Sequence, residues 1–175
     1  MNISRRGVSR GGLAAIGCGV IDKTGAAGAD AVGREDTEKS LELCPVGRVD
    51  TKADPAKLQI HKKYRDALRW LDGFSHAVVL YWFDRNDTPA KRSILHVHPR
   101  GKKKNPLTGV FACRSPARPN LIALGVCKIL AVSEQEVSID KIDALDGSLI
   151  LDIRPYIPSV DCRTEGVRVP DWLKG

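Results

Sequence analysis

The sequence is poor in aromatic residues, with three each of Trp, Tyr and Phe making 5% of its 175 residues. It has no Cys-x-x-Cys pair: Cys18, Cys44, Cys113, Cys127 and Cys162 are scattered and odd in number. That spacing argues against a zinc site and against a paired disulfide framework. No run approaches the ~20 apolar residues of a membrane-spanning helix. No Gly-x-Gly-x-x-Gly occurs, and strands do not alternate with long helices, which excludes a Rossmann-type sheet. Scattered thiols suit a reducing compartment, so a cytoplasmic location is expected. Arg5, Arg6 and Arg10 precede Leu13-Ala14-Ala15-Ile16, but that run is too short and too broken by glycine for an export signal.

What is present describes an ordinary globular chain, 42% hydrophobic and 28% charged. Its length suits one domain, or one domain with a tail. The formal net charge is +7, a balance that fits a polyanionic partner. Met1 to Ser40 is rich in Gly, Ala, Arg and Asp and holds no aromatic residue. It shows no sustained apolar period and is expected to be a flexible extension. The folded domain is expected over residues 41–175.

Within that domain, Leu43–Val49 and Lys57–His61 read as strands. Tyr64, Leu68 and Leu71 fall at helical spacing before Gly73, predicting one short helix. Ser75–Phe83 is an unbroken apolar run of strand length, predicted to be central and fully buried. Further strands are expected at Ile94–His98, Gly109–Cys113, Leu121–Val132, Val137–Ile139 and Ser148–Ile153. Asn86-Asp87-Thr88-Pro89, Pro99-Arg100-Gly101 and Asp146-Gly147 supply turns. Many short strands and one helix predict a mainly β protein, a compact β-barrel.

Three segments carry a family resemblance. Gly109–Asn120 reads GVFACRSPARPN, Asp143–Pro158 reads DALDGSLILDIRPYIP, and Leu71–Phe83 holds Leu-x-x-Phe-Ser-His. With His98-Pro99-Arg100-Gly101 and Val169-Pro170-Asp171-Trp172, they resemble the short members of the TsaA-like (TrmO-type) tRNA methyltransferase family. The resemblance covers about residues 43–172. It implies a compact β-barrel working as a homodimer, with its cleft near the subunit interface. The implied cofactor is S-adenosylmethionine. The implied substrate is N6 of N6-threonylcarbamoyladenosine at position 37 in the tRNA anticodon loop. By matching positions, cofactor contacts are expected at Asp84, Arg85, Arg114, Leu124, Asp140, Lys141, Ile142 and Asp143. The Asp140–Asp143 stretch would act mainly through backbone groups. Where the family carries Thr, Pro, Gly and His, this chain has Cys113, Leu121, Ala123 and Asp84. These departures leave two alternatives open: a same-fold enzyme acting on another substrate, and a non-catalytic RNA-binding or regulatory member.

The residues themselves supply chemistry in keeping with this. Arg114 and Arg118 flank Ser115-Pro116, and the prolines stiffen the loop that projects both guanidiniums. Such groups suit carboxylate, phosphate or base recognition; otherwise the loop is a rigid turn held by an internal Arg–Asp pair. By the resemblance Arg118 would serve the substrate side or the fold; Asn120, Arg100, Lys102 and Lys103 are expected on the substrate side, the lysines as phosphate contacts or a solvated loop. Asp146-Gly147 reads as a hairpin turn, and Asp152 as a partner for Arg154. Transfer to a ureido-like nitrogen benefits from a proton acceptor; Asp143 and Asp152 are both candidates, and no catalytic residue is assigned. His96 and His98 share a strand face but lack a third ligand, so no metal is expected. His76 is read as a hydrogen-bonding support for its strand.

Overall fold

The computed structural model describes residues 41–174; the expected extension, residues 1–40, lies outside the described residues. In chain order the strands are β1 (Gly47–Asp50), β2 (Lys57–Ile60), β3 (His76–Trp82), β4 (His96–Val97), β5 (Thr108–Gly109), β6 (Ile122–Val132), β7 (Glu136–Ile139) and β8 (Leu149–Pro155). Six of them close into a barrel in the order β1-β2-β7-β6-β3-β8, and β4 pairs with β5 in a separate ladder. Every pairing is antiparallel. Among the described residues no helix is long and apolar enough to cross a membrane.

The interior is filled by alternate residues of these strands. Val49, Leu58, Val79, Val137, Ile139 and Ile150 are all at most 1% exposed. A strand sends successive side chains to opposite faces, so a closed barrel takes every second one inward. This corrects the reading of Ser75–Phe83. Only Ala77, Val79 and Tyr81 are buried; His76, Val78, Leu80 and Trp82 are half-buried on the outer face. That face stays apolar because β6 opposes it with Val126, Leu124 and Ile122.

The expected helix is a 3-10 turn, Lys62–Leu68, followed by a second, Leu71–Gly73. Trp70 breaks the two apart at φ 68°. Leu68 and Leu71 still reach the core, as their spacing foretold. The α-helices are single turns, α1 (Pro89–Arg92) and α2 (Pro158–Asp161). The strand expected over Gly109–Cys113 stops at Gly109, where a 3-10 turn over Val110–Ala112 buries Val110. Ile94–His98 shortens to the two residues of β4.

One mismatch in strand length shapes the surface. Of β6, only Ile129–Val132, near its end, pairs with β7. The Phe83 N–H donates to Leu121 O, and the Ile129 N–H to Ser75 O. Odd-numbered residues of β6 therefore turn their backbone groups toward β3, and even-numbered ones toward the other edge. The N–H and C=O groups of Ile122, Leu124 and Val126 thus lie along an edge that β7 does not cover.

Candidate active site

A cleft of about 960 Å³ opens along this uncovered edge. Its floor includes Leu80 and Leu124, and its rims come from the segment 111–120 and from Lys141–Asp143. Arg114, Leu124, Lys141, Ile142 and Asp143, expected around the cofactor, all line it. So do Arg118 and Asn120, which were expected on the substrate side. Asp84, Arg85 and Asp140 do not. Asp84 sits in the turn after β3, where its Oδ1 accepts from the buried Ser148 hydroxyl at 3.4 Å. Arg85, beside it, is exposed.

Asp140 instead anchors the rim. Its N–H donates to Lys128 O at 3.1 Å, and its Oδ1 accepts from the Lys128 N–H at 2.8 Å. The Lys128 amide, with the Lys141 amide second, holds its carboxyl below the ordinary range. A lowered folded pKa means that this anchor is complete above about pH 4 and is lost as pH falls through the lowered value. In urea unfolding, the gap between wild type and Asp140→Asn is therefore expected to be full near pH 6 and to shrink as pH falls through the lowered value. A gap independent of pH would remove the carboxylate from this role.

Tyr81 completes the rim, and it was absent from the expected site. Its hydroxyl donates to the Asp143 carbonyl, and Phe83 meets its ring edge-on at 5.7 Å. Burial, and after it Asp143 and Cys127, push the phenol above its usual range, so it stays a donor. The signal lay in the alternation: Tyr81 follows Val79 on the inward face, and a buried Tyr hydroxyl needs a partner. Ile142 packs beneath the same rim, over Gly125. Burial likewise pushes the Cys127 thiol up to about 11, so this core cysteine is an inert thiol.

The two-arginine loop is held by other groups. Ala117 is buried, and its N–H donates to Ser115 Oγ at 3.2 Å. Arg92 donates from Nη1 to Pro119 O at 3.0 Å, pairs with Asp87 at 2.8 Å and lies over the Trp82 ring. Among the described residues neither Arg114 nor Arg118 forms an ion pair. The internal Arg–Asp reading is thus set aside, and both guanidiniums are available to a ligand.

The two candidate proton acceptors separate. Asp143 lines the cleft. Asp152 lies against a different hollow, near Trp70 and Phe74, where it accepts from the Ile153 N–H and pairs with Arg154 at 3.3 Å. Asp146 accepts from the Thr51 N–H and pairs with Lys52 at 2.8 Å, beside Gly147 at φ 81°. His76 contacts Ser75 Oγ through Nδ1 and meets Tyr156 edge-on. Arg100 and Lys103 line a second hollow beside the first; the exposed Lys102 does not.

The tRNA-methyltransferase O N-terminal domain family matches residues 39–162. A probable S-adenosyl-L-methionine-binding protein of Methanocaldococcus jannaschii is 42% identical over 120 residues, 69% of this chain and 95% of that protein. The tRNA (adenine(37)-N6)-methyltransferase of Mus musculus is 33% identical over 69% of this chain, which corresponds to 30% of its own length. The crystal structure of TrmO from Pseudomonas aeruginosa superposes with a TM-score of 0.60 at 22% identity, over 79% of this chain and 64% of that one. At that identity the superposition speaks for the fold.

Proposed function

The chain belongs to the tRNA-methyltransferase O N-terminal domain family, and from that premise we propose that it is an S-adenosylmethionine-dependent tRNA methyltransferase. Its proposed target is N6 of N6-threonylcarbamoyladenosine at position 37, in the anticodon loop. The observation that carries this reading is the single cleft that gathers Arg114, Leu124 and Lys141–Asp143.

The donor set fits the cofactor. On the uncovered edge the Leu124 N–H and C=O offer one donor and one acceptor, the pattern that an adenine edge needs. Leu80 and Ile122 give the purine an apolar surface. Arg114 suits the carboxylate of the methionyl end. Backbone groups of Lys141–Asp143, with the Asp143 carboxylate, suit the positive charge nearby. When bound, S-adenosylmethionine supplies an electrophilic methyl whose passage to nitrogen leaves the C–S electron pair on sulfur and frees the N6 proton.

The chain's own work is then to hold, align and accept. In-line transfer requires the reacting atoms to be within about 3–3.5 Å. The Asp143 carboxylate is the proposed acceptor of the N6 proton, since it is exposed within the cleft. Tyr81 positions that residue by its bond to the Asp143 carbonyl. Tyr81→Phe removes a hydrogen bond contributing about 1 kcal/mol. It is expected to weaken cofactor binding about fivefold by calorimetry and to speed amide exchange at residues 141–143. Unchanged exchange would mean that the loop is held by other contacts.

The exposed Lys102 supports tRNA binding as a phosphate contact, and Arg100 and Lys103, lining the neighbouring hollow, belong to the substrate side. Ile122, Leu124, Val126 and Leu130 leave the outer face of β6 apolar and exposed, which supports association as a homodimer. The experiment is incubation with labelled S-adenosylmethionine and tRNA bearing or lacking N6-threonylcarbamoyladenosine, followed by nucleoside mass spectrometry. One methyl gained on that nucleoside is the expected result. No gain with cofactor binding intact would redirect the proposal to another substrate; no gain and no binding would reject it.

A further inference from the structure

The second hollow, of about 1020 Å³, shares Phe111, Cys113 and Arg114 with the β6 cleft. Its other walls include Val97, Pro99, Pro116 and Trp172, with Arg100 and Lys103 also lining it. It is thus an apolar space with a cationic margin. Phe111 stands between the two spaces, and its side chain is 80% exposed. Like Trp70 on another hollow, it stands in the open and packs on no other ring among the described residues, and it is the exposed aromatic that borders both of these spaces.

The margin is held firmly. Arg100 adopts φ 59°, a conformation that costs energy and persists only where its surroundings enforce it. Here the buried Asn105 enforces it, donating from Nδ2 to Pro99 O at 2.8 Å while its own carbonyl meets His98 Nδ1 at 2.8 Å.

We propose that this hollow receives the target nucleoside, turned out of its RNA stack, with Phe111 as the platform on which the base stacks. Arg100 and Lys103 take the carboxylate of its N6 substituent. The inference rests on the methyltransferase reading and deepens it. A base cannot be modified within its stack, so enzymes of this kind extrude it and hold it against aromatic or apolar side chains. Donor and acceptor must meet, and spaces that share a wall of three residues let them meet at its lip. Trp172, half-buried in the terminal turn Asp171–Leu173, adds a second aromatic surface to the same space.

The test uses an anticodon stem-loop with 2-aminopurine at the target position, whose fluorescence reports unstacking and aromatic contact without any methyl transfer. The full chain is expected to change its emission on binding. Phe111→Leu is expected to abolish the change and weaken stem-loop binding about 10-fold, a larger loss than any it causes in S-adenosylmethionine affinity by calorimetry. Phe111→Tyr is expected to restore both. With stem-loops carrying the natural nucleoside, Arg100→Ala is expected to weaken the threonylcarbamoylated form more than the unmodified one. Equal weakening would make Arg100 a phosphate contact and overturn the carboxylate assignment. Loss of cofactor affinity alone in Phe111→Leu would assign the ring to the other cleft and overturn the proposal, as would a change of oligomeric state alone. No emission change in the wild-type protein would also overturn it, whatever the methylation result. An emission change that needs Phe111, in a protein that methylates no tRNA, would keep the pocket and reject the methyltransferase reading.

Discussion

Arg114→Ala is expected to lower both S-adenosylmethionine affinity and single-turnover methyl transfer by roughly 100-fold, with almost no change in the unfolding midpoint. Arg114 lines both hollows, is exposed, and has no ion-pair partner among the described residues. Its loop is kept in place by the buried Ala117 and by Arg92 on Pro119 O, so removing the guanidinium leaves the scaffold untouched. Each hydrogen bond to a charged group contributes about 1.5–3 kcal/mol, and about 1.4 kcal/mol is tenfold in a binding constant. A two-pronged contact with a carboxylate therefore accounts for the size of the loss. Arg114→Lys keeps the charge but not the fork, and is expected to recover only part of the affinity. Calorimetry and single-turnover transfer read the two effects separately. Full affinity in Arg114→Ala would remove this residue from the cofactor site, and a large fall in midpoint would make its role structural.

The barrel was legible because its strands alternate. Val49, the pair Leu58 and Ile60, and the pair Val137 and Ile139 announce inward faces at period two, and the structure buries those residues. The apolar run of β3 hid its alternation because both of its faces are apolar, the outer one against β6. Periodicity also described the Tyr64–Leu71 turn well enough to place its core contacts, but not the left-handed break at Trp70 that makes it two 3-10 turns. The site was legible by residue type and only partly by place. Arg114, Leu124 and Asp143 come from three successive segments, a loop, a strand and a second loop, and share one cleft because β6 outruns β7. That mismatch depends on register, which no local pattern reports. Asp84 was expected among the cofactor contacts, and Asp152 stood level with Asp143 as a proton acceptor, yet neither Asp84 nor Asp152 lines the cleft. Ser148 engages one and Arg154 the other.

Gly47→Ala is expected to destabilise the protein by about 3 kcal/mol or more, or to prevent folding. Gly47 opens β1 and pairs with Ile60 of β2 on one side and Ile150 of β8 on the other. A Cβ there would drive into the Gln59 carbonyl oxygen. That oxygen is backbone, fixed between two paired strands, and cannot swing aside as the end of a flexible side chain would. Relief requires β1 to move away from β2, and β1 is the strand that joins β2 to β8 to close the barrel. Opening that seam exposes the row of Val49, Leu58 and Ile150, all buried in the intact core. Gly73→Ala is the matched control: nothing lies within 4 Å of its added methyl, and it is expected to change stability by no more than about 1 kcal/mol. Urea unfolding of both variants provides the comparison. A Gly47→Ala midpoint close to that of Gly73→Ala would mean that β1 approaches β2 less tightly than the barrel requires. A large gap between them would assign to one missing side chain the closure on which β3, β6 and the cleft beside them depend.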